Sequence, residues 1–208
     1  MVITNRHIDE KTAAEIDRIF FEIIIAPGFD NDALNILKQK KNRIILVRKK
    51  AERPASGFRS LLNGVLWQDA DLSTESPSMM KPVTVRIPDA REYEDMVFAN
   101  IIVKHSKSNA IVLAKNRQLC ASGIGQTSRI DAMKQAIEKA RSFGFELTGA
   151  VLASDAFFPF ADSVEIAHKA GITSIVQPGG SVRDQDSVDY CNKNGIAMVF
   201  TGVRHFKH

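Results

Sequence analysis

The clearest indication of the fold is the segment AVLASDAFFPFADSVEIAHKAGITSIVQPGG, residues 150–180. An apolar run at 150–153 and a β-branched run at 174–176 predict two strands, and the amphipathic spacing of 163–170 between them predicts a helix. Strands that alternate with helices in this way form parallel sheets. The stretch therefore predicts a strand–helix–strand unit whose strands are followed by an aromatic loop and a glycine-rich loop.

The alternation of helices and strands continues on both sides of this stretch. The predicted elements around it are helices at 90–104, 128–143 and 184–194 and strands at 110–114, 118–122 and 197–201. This order is typical of a three-layer α/β/α module, in which ligands usually lie beyond the carboxyl ends of the strands. Functional residues are therefore expected in the loops that follow those ends.

The N-terminal part of the chain carries a second alternating pattern. Its predicted elements are strands at 2–4, 23–25 and 44–47 and helices at 9–20 and 31–40. The segment 71–82 then contains two prolines and four Ser or Thr residues without hydrophobic periodicity, which is typical of a boundary. We expect an α/β protein with a partial first α/β subdomain over residues 1–82 and a C-terminal α/β/α subdomain over residues 83–208.

The composition describes an ordinary globular chain. Of its 208 residues, 44% are hydrophobic and 25% are charged, and a chain of this size needs neither a disulfide nor zinc to hold a core. Its two cysteines, Cys120 and Cys191, form no CxxC pair, which suits a reducing compartment. No apolar run approaches the ~18 residues of a membrane span, and the N-terminus lacks the pattern of a signal peptide. We expect a cytoplasmic protein without a membrane partner.

The net charge of +4 is concentrated in one segment. Residues 38–53 contain eight Lys or Arg residues and a single acid, Glu52. Three interpretations are open: a buried strand at 44–47 with solvated charges at its flanks, a patch for an anionic small ligand, and a nucleic-acid surface. We favour the first and expect no nucleic-acid partner, because nucleic-acid proteins more often spread basic residues over a face with interleaved aromatic residues.

Two kinds of polar loop flank the predicted strands. Asn109 stands at a strand edge, where its amide could donate to and accept from a carboxamide or could simply belong to a polar turn. The loop Gly123-Ile124-Gly125-Gln126 leads into a helix that Ser128 and Asp131 can cap, so its amides could bind an anion or form only a glycine turn. The loop Pro178-Gly179-Gly180-Ser181 repeats this design after a later strand.

Aromatic and basic residues follow two further strands. The rings of Phe157-Phe158-Pro159-Phe160 could pack into the core or enclose a planar heterocycle. The tail Arg204-His205-Phe206-Lys207-His208 is either a loose solvated terminus or the wall of a site.

Taken together, these motifs resemble the transformylase part of the bifunctional purine biosynthesis proteins over essentially the whole chain. The motifs that carry the resemblance are Ser108-Asn109-Ala110-Ile111-Val112, Gly125-Gln126-Thr127-Ser128-Arg129, Ala153-Ser154-Asp155-Ala156-Phe157-Phe158-Pro159-Phe160, Gln177-Pro178-Gly179-Gly180-Ser181 and Arg204-His205-Phe206-Lys207-His208. The resemblance implies transfer of a formyl group from 10-formyltetrahydrofolate, as co-substrate, to aminoimidazole carboxamide ribonucleotide (AICAR). It also implies modules of the cytidine-deaminase type, although the sequence lacks the HxE and PCxxC motifs of zinc deaminases.

The resemblance implies roles for individual residues. Asn109 and Arg204 would hold the substrate carboxamide with help from the backbone at Phe157, and Glu22 takes the place of an acidic residue near the substrate. His208 would orient a catalytic histidine that lies upstream of this sequence in the family. The folate would meet the backbone at Arg129 and Ile130 and a pocket lined by Phe158, Pro159, Phe160 and Asp162. A structural monovalent cation, potassium in relatives, would lie among Val103, Ser106, Ser108 and Asp155.

The resemblance further implies that this chain is a fragment. In the family, a catalytic Lys-His segment and an IMP cyclohydrolase domain precede the point at which this sequence starts, so we expect ligand binding with little or no turnover. The family's enzymes are homodimers with sites at subunit contacts, and a separate chain that carries the Lys-His segment could restore activity. The alternative function is a non-catalytic module that binds a nucleotide or folate or serves dimerisation.

Overall fold

The computed structural model describes residues 1–50, 52 and 54–208. The chain forms two compact units, Met1–Ala55 and Ser56–His208. The predicted boundary at residue 82 stays a prediction, and the segment 71–82 on which it rests lies within the second unit. Among the described residues, every helix is too short or too polar to cross a bilayer.

The first unit is a small parallel sheet with two helices. Its strands pair in the order β1 (Val2–Ile3), β2 (Ile23–Ala26) and β3 (Ile44–Val47), and its helices are α1 (Glu10–Asp17) and α2 (Asn31–Leu37). Asp9 caps α1 by accepting a hydrogen bond from the Thr12 amide at 2.8 Å, and hydrogen bonding by the Thr12 side chain and amide lowers the pKa of the Asp9 carboxyl. The buried side chains of the unit are Ile8, Ala13, Phe21, Ile24, Ala26, Ala33 and Leu37.

The strand at 44–47 is not buried, so this part of the sequence interpretation is wrong. Ile44 is 51% exposed and Val47 is 61% exposed, because β3 is an edge strand that pairs only with β2 among the described strands. Among the basic residues that flank this strand, Arg43 forms an ion pair with Asp17. Its guanidinium carbon lies 4.1 Å from the centroid of the Phe21 ring. Arg53 lies outside the described residues.

The second unit contains a six-stranded mixed sheet between two layers of helices. Its strand order is β6 (Lys81–Pro82), β11 (Ala197–Phe200), β10 (Ile172–Gln177), β9 (Ala150–Ser154), β7 (Ile111–Lys115) and β8 (Gln118–Gly123). Strands β9, β10 and β11 are parallel, whereas β7 runs antiparallel to β9 and β8. The helices are α3 (Ala90–His105), α4 (Arg129–Ser142), α5 (Asp162–Lys169) and α6 (Asp184–Lys193).

Alternating side chains of the strands pack against the helical layers on opposite faces of the sheet. In β7, Ile111 and Leu113 pack in the cluster that includes α4, α5 and α6, while Val112 and Ala114 pack in the cluster that includes α3. The sheet is therefore buried on both faces, and the prediction of a three-layer α/β/α module is confirmed. Both cysteines are free and buried, and burial raises the pKa of Cys191 to about 12.

A separate hairpin stands at the beginning of this unit. It consists of β4 (Ser56–Leu61) and β5 (Gly64–Asp69), with Phe58 and Trp67 stacked at a centroid distance of 6.4 Å. Both rings are about two-thirds exposed. The segment between the hairpin and α3 contains a short 3-10 helix, Pro77–Met79.

The start of α3 is fixed by a capping box and a buried ion pair. Asp89 accepts a hydrogen bond from the Glu92 amide at 2.8 Å, and the Glu92 carboxylate accepts one from the Asp89 amide at 2.9 Å. Arg86 and Thr173 also donate to Glu92, at 2.8 and 3.0 Å. Burial raises the pKa of the Glu92 carboxyl, but the bonds from Arg86 and the other donors lower it more, so this pKa lies below its usual value.

We expect Glu92→Gln to reduce the free energy of unfolding by about 1–3 kcal/mol at neutral pH, because it removes the charged acceptor of these bonds. Since the folded pKa of Glu92 lies below the unfolded value of about 4.3, the wild-type advantage is complete above that value and disappears as pH falls through the folded pKa. Urea unfolding between about pH 7 and pH 3 measures the difference between the two chains.

Glu94→Gln is the matched control, because Glu94 is an exposed acid on the same helix. Its effect on unfolding should stay within about 0.5 kcal/mol. A Glu92→Gln difference that does not shrink in acid would contradict the assigned role.

Candidate functional site

The loops with the sequence motifs meet at one edge of the six-stranded sheet. Because β7 is antiparallel to β9, its first residue Ile111 lies opposite both Ser154 at the end of β9 and Gly123 at the end of β8. Gln177 at the end of β10 lies opposite Phe200 at the end of β11. We call this edge the site edge, and its segments are 106–110, 124–128, 155–161, 178–183 and 201–208.

The C-terminal tail packs along the site edge. The His205 amide donates to the Asp155 carbonyl at 2.9 Å. Ser108 and Lys207 exchange two bonds, from the Ser108 amide to the Lys207 carbonyl at 2.9 Å and from the Lys207 amide to Ser108 Oγ at 3.0 Å. The tail is therefore not a loose terminus, and its role as the wall of a site stays a prediction.

The two residues expected to hold a carboxamide lie on neighbouring segments of this edge. Arg204 is exposed and places its guanidinium carbon 4.9 Å from the centroid of the Phe157 ring. The Asn109 side-chain amide donates to the Gln126 carbonyl at 3.0 Å, which ties the strand edge to the glycine loop. Gly180 has φ +98°, and an added Cβ there would lie 3.5 Å from Arg204 Nη2, so the second glycine loop also approaches the guanidinium.

A buried carboxylate lies behind the tail. Asp155 is fully buried, and its Oδ1 accepts a hydrogen bond from Arg129 Nη2 at 3.3 Å. Within the described chain, Asp155 Oδ2 and Arg129 Nε have no hydrogen-bond partner. A buried carboxylate oxygen without a partner is costly, and it is the type of ligand that a hard cation prefers.

The other residues of the expected cation site lie at the end of α3 and in the segment that follows it. The Val103 carbonyl accepts a bond from the Ser106 amide at 3.0 Å, and Ser106 Oγ donates to the Ile102 carbonyl at 2.9 Å. Of these residues, Ser108 bonds to the tail, through the Lys207 amide. In the described part of the chain, no cluster of three or more His, Cys, Asp or Glu side chains could hold a metal ion.

The rings of the aromatic loop have two different environments, since some pack into the core and others are exposed at the site edge. Phe158 is fully buried in the core cluster of α4, α5 and α6, and its amide donates to Gln177 Oε1 at 3.0 Å. Phe160 is 50% exposed, and the guanidinium carbon of Arg183 lies 5.0 Å from its ring centroid. Phe157 is half-buried, so a ring ligand at this edge would meet Phe157 and Phe160, and Phe158 only through its backbone.

The remaining expected folate contacts lie at the starts of α4 and α5 and in the loop before α5. Arg129 and Ile130 begin α4 and are half-buried, with Ser128 as the cap of that helix. Pro159 is exposed, and Asp162 accepts a hydrogen bond from the Ser163 amide at 2.8 Å at the start of α5.

The last two expected site residues, His208 and Glu22, belong to different units of the chain. His208 is exposed, its amide donates to Gln68 Oε1 at 3.3 Å, and its ring centroid lies 5.8 Å from that of Phe206. Glu22 is an exposed residue of the first unit, where its carbonyl accepts a hydrogen bond from the Ile44 amide at 2.8 Å.

Sequence reasoning missed a buried polar cluster beneath the tail. His205 Nδ1 lies 2.6 Å from Asp71 Oδ2, and His205 Nε2 lies 2.9 Å from Glu75 Oε2. Asn100 donates to Glu75 Oε2 at 2.7 Å, and Lys104 Nζ lies 3.8 Å from Asp71 Oδ1. We call these five residues the His205 cluster. The available signal was the four-residue spacing of Asn100 and Lys104 on one helix face, facing two acids in a segment interpreted as a linker.

The loops that carry Asn109, Phe157 and Arg204 thus meet at one edge of a three-layer α/β/α sheet, and such an edge is where the ligands of α/β sheets usually lie. Residues 1–139 match the family described as AICARFT/IMPCHase bienzyme. The chain belongs to this family, and the resemblance drawn from the motifs is confirmed.

Full-length relatives extend well beyond this chain. Over its whole length the chain is 64% identical to the bifunctional purine biosynthesis protein PurH of Bacteroides thetaiotaomicron and 49% identical to PurH of Aquifex aeolicus. It spans 41% and 40% of the length of these two relatives. A diaminohydroxyphosphoribosylaminopyrimidine deaminase/5-amino-6-(5-phosphoribosylamino)uracil reductase of Thermotoga maritima shares part of the backbone, with a TM-score of 0.41, 18% identity and coverage of 50% of this chain and 36% of that chain.

Proposed function

We propose that this chain binds AICAR and 10-formyltetrahydrofolate as part of the formyl transfer step of purine biosynthesis. The observation that carries the proposal is the convergence of Arg204, Asn109 and Phe157 at one edge, with the tail fixed there by its own main-chain bonds. A guanidinium donates to a carboxamide oxygen, and an asparagine amide can complete the pair by donating and accepting. Family membership supports the choice of substrate.

The proposed reaction requires the chain to orient two small molecules. The AICAR amine attacks the formyl carbon, a tetrahedral oxyanion forms, the bond from carbon to the folate nitrogen breaks, and the amine proton passes to that nitrogen. In this chain, Arg204 and Asn109 would hold the nucleotide, while Phe160 and the backbone at Arg129 and Ile130 would hold the folate rings. Correct orientation of the reacting atoms is itself a large part of catalysis.

A monovalent cation, potassium by the family resemblance, is part of the proposal. The partnerless Asp155 Oδ2 fits such an ion, since a bound cation would satisfy its buried charge. Val103, Ser106 and Ser108 would complete the site. The ion would fix the tail by holding the segments on either side of it.

The proposal also includes a cellular location, an oligomeric state and the activity of the isolated chain. A cytoplasmic location and a homodimer of the longer enzyme follow from the family resemblance, and the exposed rings of Phe58 and Trp67 offer apolar surface for a subunit contact. The isolated chain is expected to bind its ligands without turnover, because the Lys-His segment of the family is not among its residues.

Calorimetry with AICAR and with a folate analogue tests the proposal on the full 208-residue chain. Arg204→Ala and Asn109→Ala should each weaken AICAR binding about 10-fold or more, because each removes a polar contact worth about 1.4 kcal/mol. Arg91→Ala is the control, since Arg91 is an exposed arginine on α3 near Gly149, at the opposite edge of the sheet.

The outcomes of these binding measurements distinguish the candidate functions. Wild-type binding that Arg204→Ala weakens and Arg91→Ala leaves intact supports the proposed site. No binding of either ligand favours the alternative, a dimerisation module. Formyl transfer by the purified chain alone would contradict the expectation of an inactive fragment, whereas transfer only after addition of a Lys-His segment would support it.

A further inference from the structure

We propose that Gln68, on strand β5 of the hairpin, is a positioning residue that holds the end of the tail in place at the site edge. Its side-chain amide binds the main chain of the tail on either side of Lys207. The anchoring stands on contacts within the second unit, and its effect on ligands rests on the proposed function. Gln68 is not among the residues to which the family resemblance gives a role.

The two ends of the Gln68 amide meet two complementary main-chain groups. Nε2 donates to the Phe206 carbonyl at 2.5 Å, and Oε1 accepts from the His208 amide at 3.3 Å. A carbonyl only accepts and a main-chain amide only donates, so these bonds fix which end of the Gln68 amide faces which group. An apolar side chain at this position can form neither bond, and a carboxylate cannot donate to the carbonyl.

The end of the tail has the bonding pattern of a strand between two neighbours. On one side, the Lys207 amide donates to Ser108 Oγ at 3.0 Å, and the Lys207 carbonyl accepts from the Ser108 amide at 2.9 Å. In an extended chain, the carbonyl before such a residue and the amide after it point to the opposite side. Both of those groups meet Gln68, whose amide takes the place of a peptide group in a neighbouring strand.

The hairpin supports the side chain of Gln68. Gln68 lies opposite Gly57 in the antiparallel register of β4 and β5, and it is half-buried. The neighbouring Trp67 projects from the other face of the hairpin, where its ring stacks on Phe58. The tail is thus bound to a residue whose own backbone is held by strand pairing.

The two bonds of Gln68 determine where two exposed rings of the tail lie. Phe206 and His208 are the residues that Gln68 binds, and their ring centroids are 5.8 Å apart. The guanidinium carbon of Arg129, the first residue of α4, lies 6.0 Å from the Phe206 centroid. Because the backbone at Arg129 belongs to the proposed folate contacts, Gln68 acts on the folate side of the site. Arg204 is placed by other contacts, with Phe157 among them.

Digestion of the full chain by carboxypeptidase Y, followed by mass spectrometry, measures how often the end of the tail is released. Gln68→Met keeps the length of the side chain and removes both bonds. We therefore expect this variant to lose His208 about 10-fold faster than the wild type. Gln118→Met, at an exposed glutamine that begins β8, is the matched control and should be digested as the wild type is.

Nuclear magnetic resonance separates positioning from general stability. The ring of Phe206 should shift the ring proton signals of His208 in the wild type, and His208→Gln identifies these signals among the five histidines. We expect Gln68→Met to move them toward the values of an unstructured histidine while the midpoint of urea unfolding changes little. Unmoved His208 signals in this variant would contradict the proposal.

Ligand binding gives the last measurement. Gln68→Met should weaken binding of the folate analogue about 5-fold and change AICAR binding less than about 2-fold. Equal loss of His208 in Gln68→Met and the wild type would overturn the anchoring, and an unchanged folate affinity would overturn the positioning role. If the wild type binds neither ligand, the proposed function fails, while the digestion and the spectrum still decide the anchoring.

Discussion

Gly123→Ala is expected to destabilise the second unit by about 3 kcal/mol or more. Gly123 is the buried last residue of β8, and a Cβ added there would lie 1.8 Å from the carbonyl oxygen of Ala132 in α4. That oxygen belongs to helix backbone, so no side-chain rotation can relieve the overlap, and the strand and the helix must separate. Urea unfolding of the two chains measures the loss.

Gly57→Ala is the control for this substitution. A Cβ at Gly57 meets nothing within 4 Å, and Gly57 also lies in a strand of the second unit. Its effect should stay within about 0.5 kcal/mol. Similar unfolding curves for the two alanine variants would mean that β8 and α4 do not approach each other as described.

Asp155→Asn is expected to cost about 3 kcal/mol, at the lower end of the range for breaking a buried ion pair. The change leaves the guanidinium of Arg129, whose side chain is only 14% exposed, without its counter-charge. If the proposed cation site exists, the variant also loses stabilisation by potassium, because an ion that binds only the folded state shifts the unfolding equilibrium. Thermal unfolding in potassium chloride and in tetramethylammonium chloride measures both effects.

The two parts of this prediction can fail separately. A wild-type chain equally stable in both salts would overturn the cation site even if Asp155→Asn is destabilised. A variant as stable as the wild type in both salts would overturn the role of the ion pair. Asp189→Asn, at an exposed acid of α6, should change neither stability nor salt dependence.

The layered fold of the second unit could be predicted because each of its elements carries its own pattern. The short strands at 150–154 and 172–177 carry apolar residues on both faces, and the helix between them is amphipathic, so local sequence alone indicates a buried parallel sheet. The loops at the ends of these strands then follow from topology. This is why most of the expected site residues do lie on one edge.

Some features of the structure could not be predicted, because they depend on contacts between residues that are far apart in the sequence. Four apolar residues at 44–47 fit a central strand or an edge strand equally well, since the number of pairing partners is not a local property. The polar segment 56–61 becomes a strand only through its pairing with 64–69. The contacts of His205 with Asp71 and Glu75 span 134 and 130 positions, beyond any local pattern.

The position of the site at one edge of the sheet has a practical consequence for engineering. The opposite edge is formed by the turn at Asn116 and Arg117 and by the loops that enter β9 and β11. At Gly144 and Gly195 in those loops, an added Cβ would meet nothing within 4 Å, but both residues have positive φ, so an insertion belongs beside these glycines and not in their place. A fluorescent label, an affinity peptide or a fused domain inserted at these points would lie at the far end of the six-stranded sheet from the tail, so the chain can be tethered or tracked away from the proposed site.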